Sequence, residues 1–340
     1  MSSSPVCADG AGGSVCSLVL NWNRRDLTLE CLASLRALDV PPGVTHRVLL
    51  VDNGSEDDSL AAVRAAYPEV ELLALPHNLG FAGGMNAGLR RALESQADWT
   101  LLVNNDATVD PGMLVRLLGA AAAAQDGRVT GRDGAVGLLA PTIYFHDRPQ
   151  VVWPSAGRRR RLTLAPRDTT AAPPSRGPYD VDWANGCCVL VAADLWRAIG
   201  LFDARYRFYY EDHDLALRAR AAGWRLLHVP EARAWHRVAA STGEGSPRQR
   251  YLLARGSVPY FLSHTRGWRR AFIVAYRLGS TTRALGRSLL RGDGAVSRAL
   301  LRGLRDGWAD WLARRDEAST SRAHKAAVAS GAAHPGGFRR

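Results

Sequence analysis

Along the first hundred residues, apolar and polar positions fall into two alternating patterns. CSLVLNW (16–22) is an almost unbroken apolar run and predicts a buried strand. HRVLLVDNGS (46–55) predicts a second, stopped by a polar turn, and VELLALP (70–76) and WTLLVNN (99–105) repeat the pattern. Between these runs apolar residues return at helical spacing. DLTLECLASLRAL (26–38) sets Leu29, Leu32, Leu35 and Leu38 on one side, DSLAAVRAAYP (58–68) predicts a helix that Pro68 ends, and GGMNAGLRRALES (83–95) predicts another. Strands separated by helices predict an α/β fold with a mostly parallel sheet flanked by helices. In such sheets ligands sit beyond the carboxyl ends of the strands, which is where Asn21, Asp52, Asn78 and Asp106 fall.

Residues 125–180 break the alternation. They are rich in Gly, Pro, Arg and Ser, with RRRR at 158–161 and TTAAPPSRGP at 169–178. Here GLLAPTIYF (137–145) predicts a strand, followed by irregular loops and a hairpin. Regular structure resumes in VDWANGCCVLVAADLWRAIG (181–200), and beyond about residue 240 the pattern is helical. In that last region Leu300, Leu301, Leu304, Trp308, Trp311 and Leu312 share a helix face, with Arg302, Arg305, Arg314 and Arg315 largely outside it. The expected organisation is a disordered tail (1–14), a main domain (15–240), a basic helical region (241–325) and a second disordered tail (326–340).

Apolar residues are 46% of the 340, enough for a sizeable core, and no run of eighteen apolar residues predicts a transmembrane helix. The N-terminus lacks the basic-then-apolar order of a signal peptide, and the five cysteines show no metal-type spacing. Reduced thiols and a cytoplasmic location are expected. Charge is unevenly placed. Residues 1–240 hold 25 Lys and Arg against 26 Asp and Glu, whereas residues 241–340 hold 19 against 6. The excess of +13 in the last hundred residues points to an anionic partner; no nucleic-acid motif accompanies it, so nucleic acid is not expected. With Trp268, Phe272, Ile273, Trp308 and Trp311 among the arginines, an anionic membrane surface on the inner face of the plasma membrane is the expected partner.

Four stretches carry candidate chemistry. LLVDNGSEDDS (49–59) ends a strand on a carboxylate that can meet a base or ribose, although a turn with Asx caps explains it as well. PHNLGFAGGMNAG (76–88) surrounds a helix start with glycines, open to a phosphate or to close helix packing. It matches neither a dinucleotide-binding nor a P-loop fingerprint. WTLLVNNDATVDPGML (99–114) ends on Asn104, Asn105 and Asp106, hard oxygen ligands suited to Mg²⁺ or Mn²⁺ with phosphate, or else a helix-capping turn. FYYEDHDLALRARAAGW (208–224) crowds Glu211, Asp212 and Asp214 together; mutual repulsion raises at least one pKa, as a general base requires, while a helix N-terminus also favours acids. A lone histidine such as His236, in AWHR, is more often structural.

In their order, VLNWNRRDLTLECLASL, VDNGSEDDS, HNLGFAGGMNAG, LLVNNDA, GCCVLVAADLWRAIGLFDARYRFYYEDHDLALRARAAGW and AWH resemble family-2 glycosyltransferases of the GT-A, Rossmann-like fold. Within that family they are similar to the rhamnosyltransferase branch. The resemblance implies that Asp52 contacts the base or ribose with Asn23 nearby. It implies that Asp106 ends the metal-binding DxD motif, that Asp212 is the catalytic base and that His236 is a further metal ligand. Asn21, Asn78, Gly80, Gly83, Asn86 and Asn105 go with the donor side, and Gly186 and Glu211 with the acceptor side. Asn104 stands where DxD has its first acid, so Asp106 is the motif's only carboxylate. The implied activity is inverting, metal-assisted hexosyl transfer from a nucleotide-sugar, dTDP-rhamnose among the candidates, to a glycan or polyprenyl-linked acceptor of the cell envelope. The motif of processive synthases is absent. A nucleotidyltransferase would want a Gly-rich loop with a basic residue after the first strand, where this chain has NWNRRD. A non-catalytic binding module would have no use for three crowded carboxylates.

Overall fold

The structure is a computed structural model whose described residues are 13–168, 177–238 and 245–329, the side chains of 168 and 314–329 excepted. It divides into two compact units, Met1–Glu244 and Gly245–Arg340. The expected tails lie mostly outside the described residues, though Ser14 opens the first strand and residues 326–329 continue the last helix.

In the first unit β1 (Ser14–Asn21), β2 (Thr45–Asp52), β3 (Glu71–Ala74) and β4 (Trp99–Asn104) alternate with α1 (Arg25–Arg36), α2 (Ser59–Ala66) and α3 (Gly80–Glu94). β5 (Ala107–Val109), α4 (Met113–Gln125) and β6 (Val136–Phe145) follow. Five short strands come next: β7 (Val152–Trp153), β8 (Ala156–Arg159), β9 (Pro166–Asp168), β10 (Tyr179–Asp180) and β11 (Trp183–Ala184). β12 (Cys188–Ala192), α5 (Ala193–Ile199), α6 (Glu211–Ala221) and β13 (Arg225–His236) complete the unit.

The main sheet runs β10-β13-β6-β12-β4-β1-β2-β3, with β5 on β13 and β7 on β6. β1 to β4 are parallel, and β13 is parallel to β6. β12 runs antiparallel to both β4 and β6. This arrangement makes one edge of the sheet polar. β1, β2 and β4 end there, and β12 begins there, Cys188 lying opposite Val103. β13 ends there too, with His236 opposite Ala107 and Phe145. Leu18, Leu49, Leu50, Leu101, Leu102 and Leu190 are fully buried, because helices cover both faces of these strands and leave the apolar runs continuous.

α3 begins at Gly80, three residues before its predicted start, so the glycine-rich stretch is helical. A Cβ on Gly84 would stand 2.6 Å from Leu20 Cδ1, and one on Gly88 2.7 Å from Val51 Cγ2. These two glycines therefore let α3 lie directly on β1 and β2. The stretch read as irregular loops and a hairpin holds a small antiparallel sheet, β11-β8-β9, with β8 and β9 as the hairpin; most of TTAAPPSRGP lies outside the described residues.

The second unit holds α7 (Pro247–Ser263), α8 (Gly267–Leu290) and α9 (Gly294–Ala329). Of the Leu and Trp face noted in the sequence, Leu301, Trp308 and Leu312 are exposed, so that face is not the seam between the helices. α9 instead meets α7 at two glycines. A Cβ on Gly303 would lie 2.4 Å from Tyr251 O, and one on Gly307 2.4 Å from Arg255 O. Residue numbers rise together along both helices, so they are parallel. Without side chains at 303 and 307 the backbones approach closely, and polar pairs lock the register. Tyr251 donates to Asp306 Oδ2 at 2.9 Å, and Arg255 forks onto Asp310 at 2.7 and 3.1 Å.

At the sheet end remote from the polar edge, Arg225 and Asp180 form a buried ion pair at 3.2 Å. Nearby, His228 lies between Thr142 Oγ1 (3.2 Å) and Tyr179 OH (2.8 Å). Burial lowers the His228 pKa from an ordinary 6.5 to about 4. An unfolded chain takes up this proton near pH 6.5 and the folded one only near 4, so the neutral imidazole stabilises the fold above pH 6.5. That stability drains away as pH falls towards 4, by roughly 3 kcal/mol at full extent. We expect His228→Gln to flatten this part of the stability–pH curve, measured by urea unfolding between pH 7 and 4.

Candidate active site

Asn21 closes β1 with its side chain fully buried. Its Nδ2 donates to Asp52 Oδ1 (2.9 Å) and Ser55 Oγ (3.1 Å), and its Oδ1 accepts from Thr28 Oγ1 (2.8 Å) and Asn105 Nδ2 (3.3 Å). One amide thus joins the end of β2, the first turn of α1 and the residue after β4. Asp52 is buried and also accepts from Ser55 N (2.9 Å) and Ser55 Oγ (2.5 Å). Its carboxylate orders the turn through Gly54, which sits at φ +75° with His77 Cα 2.7 Å from where a Cβ would be. Asn23, at φ +53°, receives Glu56 N at 2.7 Å and gives its own N–H to Ser55 Oγ at 2.9 Å. The four polar residues Asn21, Asn23, Asp52 and Asn105 therefore form one cluster, and the exposed Trp22 stands between two of them in sequence.

A second group caps α3. Asn78 Oδ1 accepts from Gly80 N (2.7 Å) and Asn53 Nδ2 (3.1 Å), and Asn53 Oδ1 accepts from Leu79 N (2.9 Å). Gly80 is approached by Arg207 O, 3.0 Å from its absent Cβ, and Gly83 by Leu79 Cβ at 2.8 Å. Asn86 is buried, with both amide atoms on the Phe202 backbone at 2.8 and 3.0 Å. In this structure Asn78, Gly80, Gly83 and Asn86 serve contacts within the protein, and Gly80 and Asn86 brace α3 against the loop that leads to α6.

Asp106 and His236 meet where β5 begins and β13 ends. Asp106 Oδ1 and His236 Nε2 are 3.1 Å apart, with side chains only 9% and 8% exposed. The pair lacks hydrogen-bond geometry: Asp106 Oδ1 and His236 Nδ1 are buried without a hydrogen-bond partner, as is Asn104 Oδ1. The edge of Trp153 holds the imidazole, ring centroids 4.7 Å apart. Two nearly buried ligand atoms converging without bonding to each other suit a divalent cation whose other ligands come from phosphate and water. Among the described residues no three His, Cys, Asp or Glu side chains gather in a metal-ligating set.

Asp212 lies in the first turn of α6. Gly186 N donates to its Oδ2 at 3.2 Å and His213 N to its Oδ1 at 2.7 Å. A Cβ on Gly186 would sit 3.4 Å from Asp212 Cβ, so the glycine lets the loop before β12 lie against the acid. The same loop joins β4 through Asn104 N to Cys187 O at 2.8 Å. Two consecutive residues in the left-handed region, Tyr209 (φ +68°) and Tyr210 (φ +71°), deliver the chain into α6. Such strain costs on the order of 1–3 kcal/mol per residue and concentrates at functional sites. Beside Asp212, Glu211 is buried with Oε2 unpartnered; burial first, and the Asp212 charge second, push its pKa well above the usual range. Asp214 is instead paired with Arg218 at 2.7 Å. His213 receives Arg159 of the RRRR run at 3.3 Å and the edge of Trp183. Beneath the edge, burial raises the Cys31, Cys187 and Cys188 thiols, the last to about 12, and the Asp106 charge raises the first two further. All three are free and buried, surroundings that favour the thiol over the thiolate.

The predicted residues thus fall into four groups on one sheet edge. Sequence reasoning passed over Ser55 and Thr28, the hydroxyls that complete the Asn21 cluster. Ser55 was visible in the DNGS turn. Nothing in the sequence marks Trp153 as the support of His236, or the tyrosines as left-handed.

The family model for glycosyltransferase-like family 2 matches residues 13–251. An N-acetylglucosaminyl-diphospho-decaprenol L-rhamnosyltransferase of Mycobacterium tuberculosis is 34% identical over 250 residues, 66% of this chain and 77% of that protein. Among solved structures, the Pyrobaculum calidifontis mannosyltransferase PcManGT in complex with GDP-Man and Mn²⁺ aligns with a TM-score of 0.53 and 17% identity, over 87% of each chain. GalNAc-T7 with UDP, GalNAc and Mn²⁺ also aligns at 0.53, with 13% identity, over 72% of this chain and 50% of that one. The likeness to both is one of fold, a GT-A sheet flanked by helices.

The raised Glu211 pKa has a direction that stability can read. In the fold this carboxyl holds its proton to a higher pH than in the unfolded chain, so stability is greatest below the ordinary glutamate pKa and declines as pH rises through the folded one. We expect Glu211→Gln to match the wild type in acid and to exceed it increasingly towards neutral pH in thermal unfolding.

Proposed function

The chain belongs to glycosyltransferase-like family 2, and on that premise we propose that it moves a sugar from a nucleotide-sugar to an acceptor hydroxyl, inverting the anomeric centre. The observation that carries this reading is the Asp212 carboxylate, held at both oxygens by backbone N–H groups on the sheet edge that also bears Asp106 and His236. Asp212 takes the acceptor proton as the acceptor oxygen attacks the anomeric carbon. The bond between that carbon and the diphosphate breaks, and its electron pair leaves on the nucleoside diphosphate. A neutral Glu211 spares Asp212 the repulsion of a second charge in the same turn. Asp106 and His236 would hold Mg²⁺ or Mn²⁺, which offsets negative charge on the departing diphosphate when bound. The unpartnered Asp106 oxygen supports that assignment, as does Mn²⁺ in the two structures of similar fold.

On the donor side, our reading assigns Asn23 and the turn that Asp52 orders to the nucleoside, supported by their clustering with Asn21 and Asn105. Rhamnose is our choice of sugar, and a glycan carried on a polyprenyl diphosphate our choice of acceptor, because the mycobacterial relative is a rhamnosyltransferase named for such an acceptor. We assign the exposed Arg158 and Arg167, opposite each other on β8 and β9, to the acceptor's phosphate, which their charge suits. The reading places the enzyme at the cytoplasmic membrane surface.

Asp212→Asn keeps the size of the side chain and removes its basicity. We expect kcat to fall about 10²-fold or more with donor affinity nearly unchanged, measured as nucleoside diphosphate release across a panel of dTDP-, UDP- and GDP-sugars. Wild-type turnover in that variant would move the role of base elsewhere. Asp106→Ala should weaken metal-dependent donor binding, and EDTA should abolish wild-type turnover until Mn²⁺ or Mg²⁺ is returned. Undiminished activity in EDTA would eliminate the metal role.

A further inference from the structure

α8 carries an apolar stripe on its solvent side. Positions 268, 272, 275, 279, 282, 286 and 289 step by four and three residues along 24, and hold Trp, Phe, Ala, Gly, Thr, Gly and Leu. That spacing keeps them on one side of the helix for about 32 Å. Trp268 is 68% exposed, Leu278 62%, Leu289 67% and Leu290 90%, with Phe272 and Tyr276 stacked and also exposed. Nothing lies within 4 Å of the Cβ positions of Gly279 and Gly286.

The opposite side is already engaged. Ile273 is buried, Arg270 donates to the carbonyls of Leu262 and Thr265, and the Arg277 guanidinium stacks on Phe261. These contacts fix α8 on α7 and turn the stripe outward. This revises the expectation from sequence, in which Ile273 belonged to the docking set. The helix contains five arginines and no acid, and the exposed Arg283 and Arg287 border the stripe. No described helix is long and apolar enough to cross a membrane.

We propose that α8 lies flat in the headgroup region of an anionic lipid bilayer, with Trp268, Phe272, Tyr276, Leu278, Leu289 and Leu290 towards the acyl chains and Arg283 and Arg287 among the headgroups. Charge selects this occupant. A second copy of the chain would bring the same acid-free helix against its like, arginine to arginine, whereas anionic lipid answers both the charge and the apolar stripe. The proposal rests on the lipid-linked acceptor for its purpose, and places the helix where such an acceptor is anchored.

Co-sedimentation of the full chain with vesicles tests it. Phosphatidylcholine vesicles are compared with vesicles that also contain phosphatidylglycerol. Binding should favour the anionic vesicles and weaken as salt rises. Trp268→Ser with Phe272→Ser should lower partitioning at least tenfold with an unchanged unfolding temperature, since both side chains are exposed. Arg283→Glu with Arg287→Glu should abolish the preference for anionic lipid. Donor hydrolysis in the absence of lipid should match the wild type in both double variants. Vesicle binding without any donor turnover would remove the enzymatic reading and leave the docking in place. Equal binding to both vesicle types, undiminished binding of the Trp268/Phe272 variant, or a stripe that proves instead to govern dimerisation or RNA binding would overturn the proposal.

Discussion

A buried polar side chain is stable only if its donors and acceptors are answered, and at the polar edge of this sheet Asn21 carries most of that obligation. Its amide has no exposure to water, yet it binds one carboxylate, two hydroxyls and a second amide from three other segments. Because Asn105 is tied to it, Asp106 follows in a set direction. Because Ser55 is tied to it and to Asp52, the turn that faces Asn23 is set as well. The site is organised by this network before any ligand arrives, which is how binding energy avoids being spent on ordering.

Much of this was legible in the sequence. β1, β2 and β4 are apolar runs cut short by Asn or Asp, and a strand covered on both faces by helices can be little else. The direction of β12 was not legible: CCVLVA would read the same whichever way it ran, and only pairing to β4 and β6 decides. Strands of two to four residues such as β7, β8 and β11 lack a period to detect. The target of Asn86, the Phe202 backbone 116 residues away, is a tertiary fact. The α7–α9 seam rests on two glycines four residues apart, a spacing that carries no local signal of its partner helix. In each of these cases long-range pairing overrode local preference.

The acids of α6 show how one short run of like residues is sorted by its surroundings. Asp214 is paired with Arg218, Glu211 is buried with no cation beside it, and Asp212 is held by backbone amides. Three carboxylates within four positions therefore have three different environments. The left-handed tyrosines before them set the angle at which the helix enters. The small β11-β8-β9 sheet braces its first turn through Trp183 and Arg159. Here strain and charge repulsion are tolerated together, which is the pattern of a site whose geometry is imposed by the remainder of the fold.

The reversed direction of β12 also divides the chain by evolutionary freedom. Residues 14–104 carry the four parallel strands β1 to β4, whereas the segment between β6 and β12 must leave the sheet at the polar edge and return to it there. Both ends of that segment are therefore anchored on the same rim. Its loops can lengthen or shorten without shifting β1 to β4. Insertions and deletions within such a lineage should accordingly collect between residues 146 and 187, while β1 to β4 keep their length.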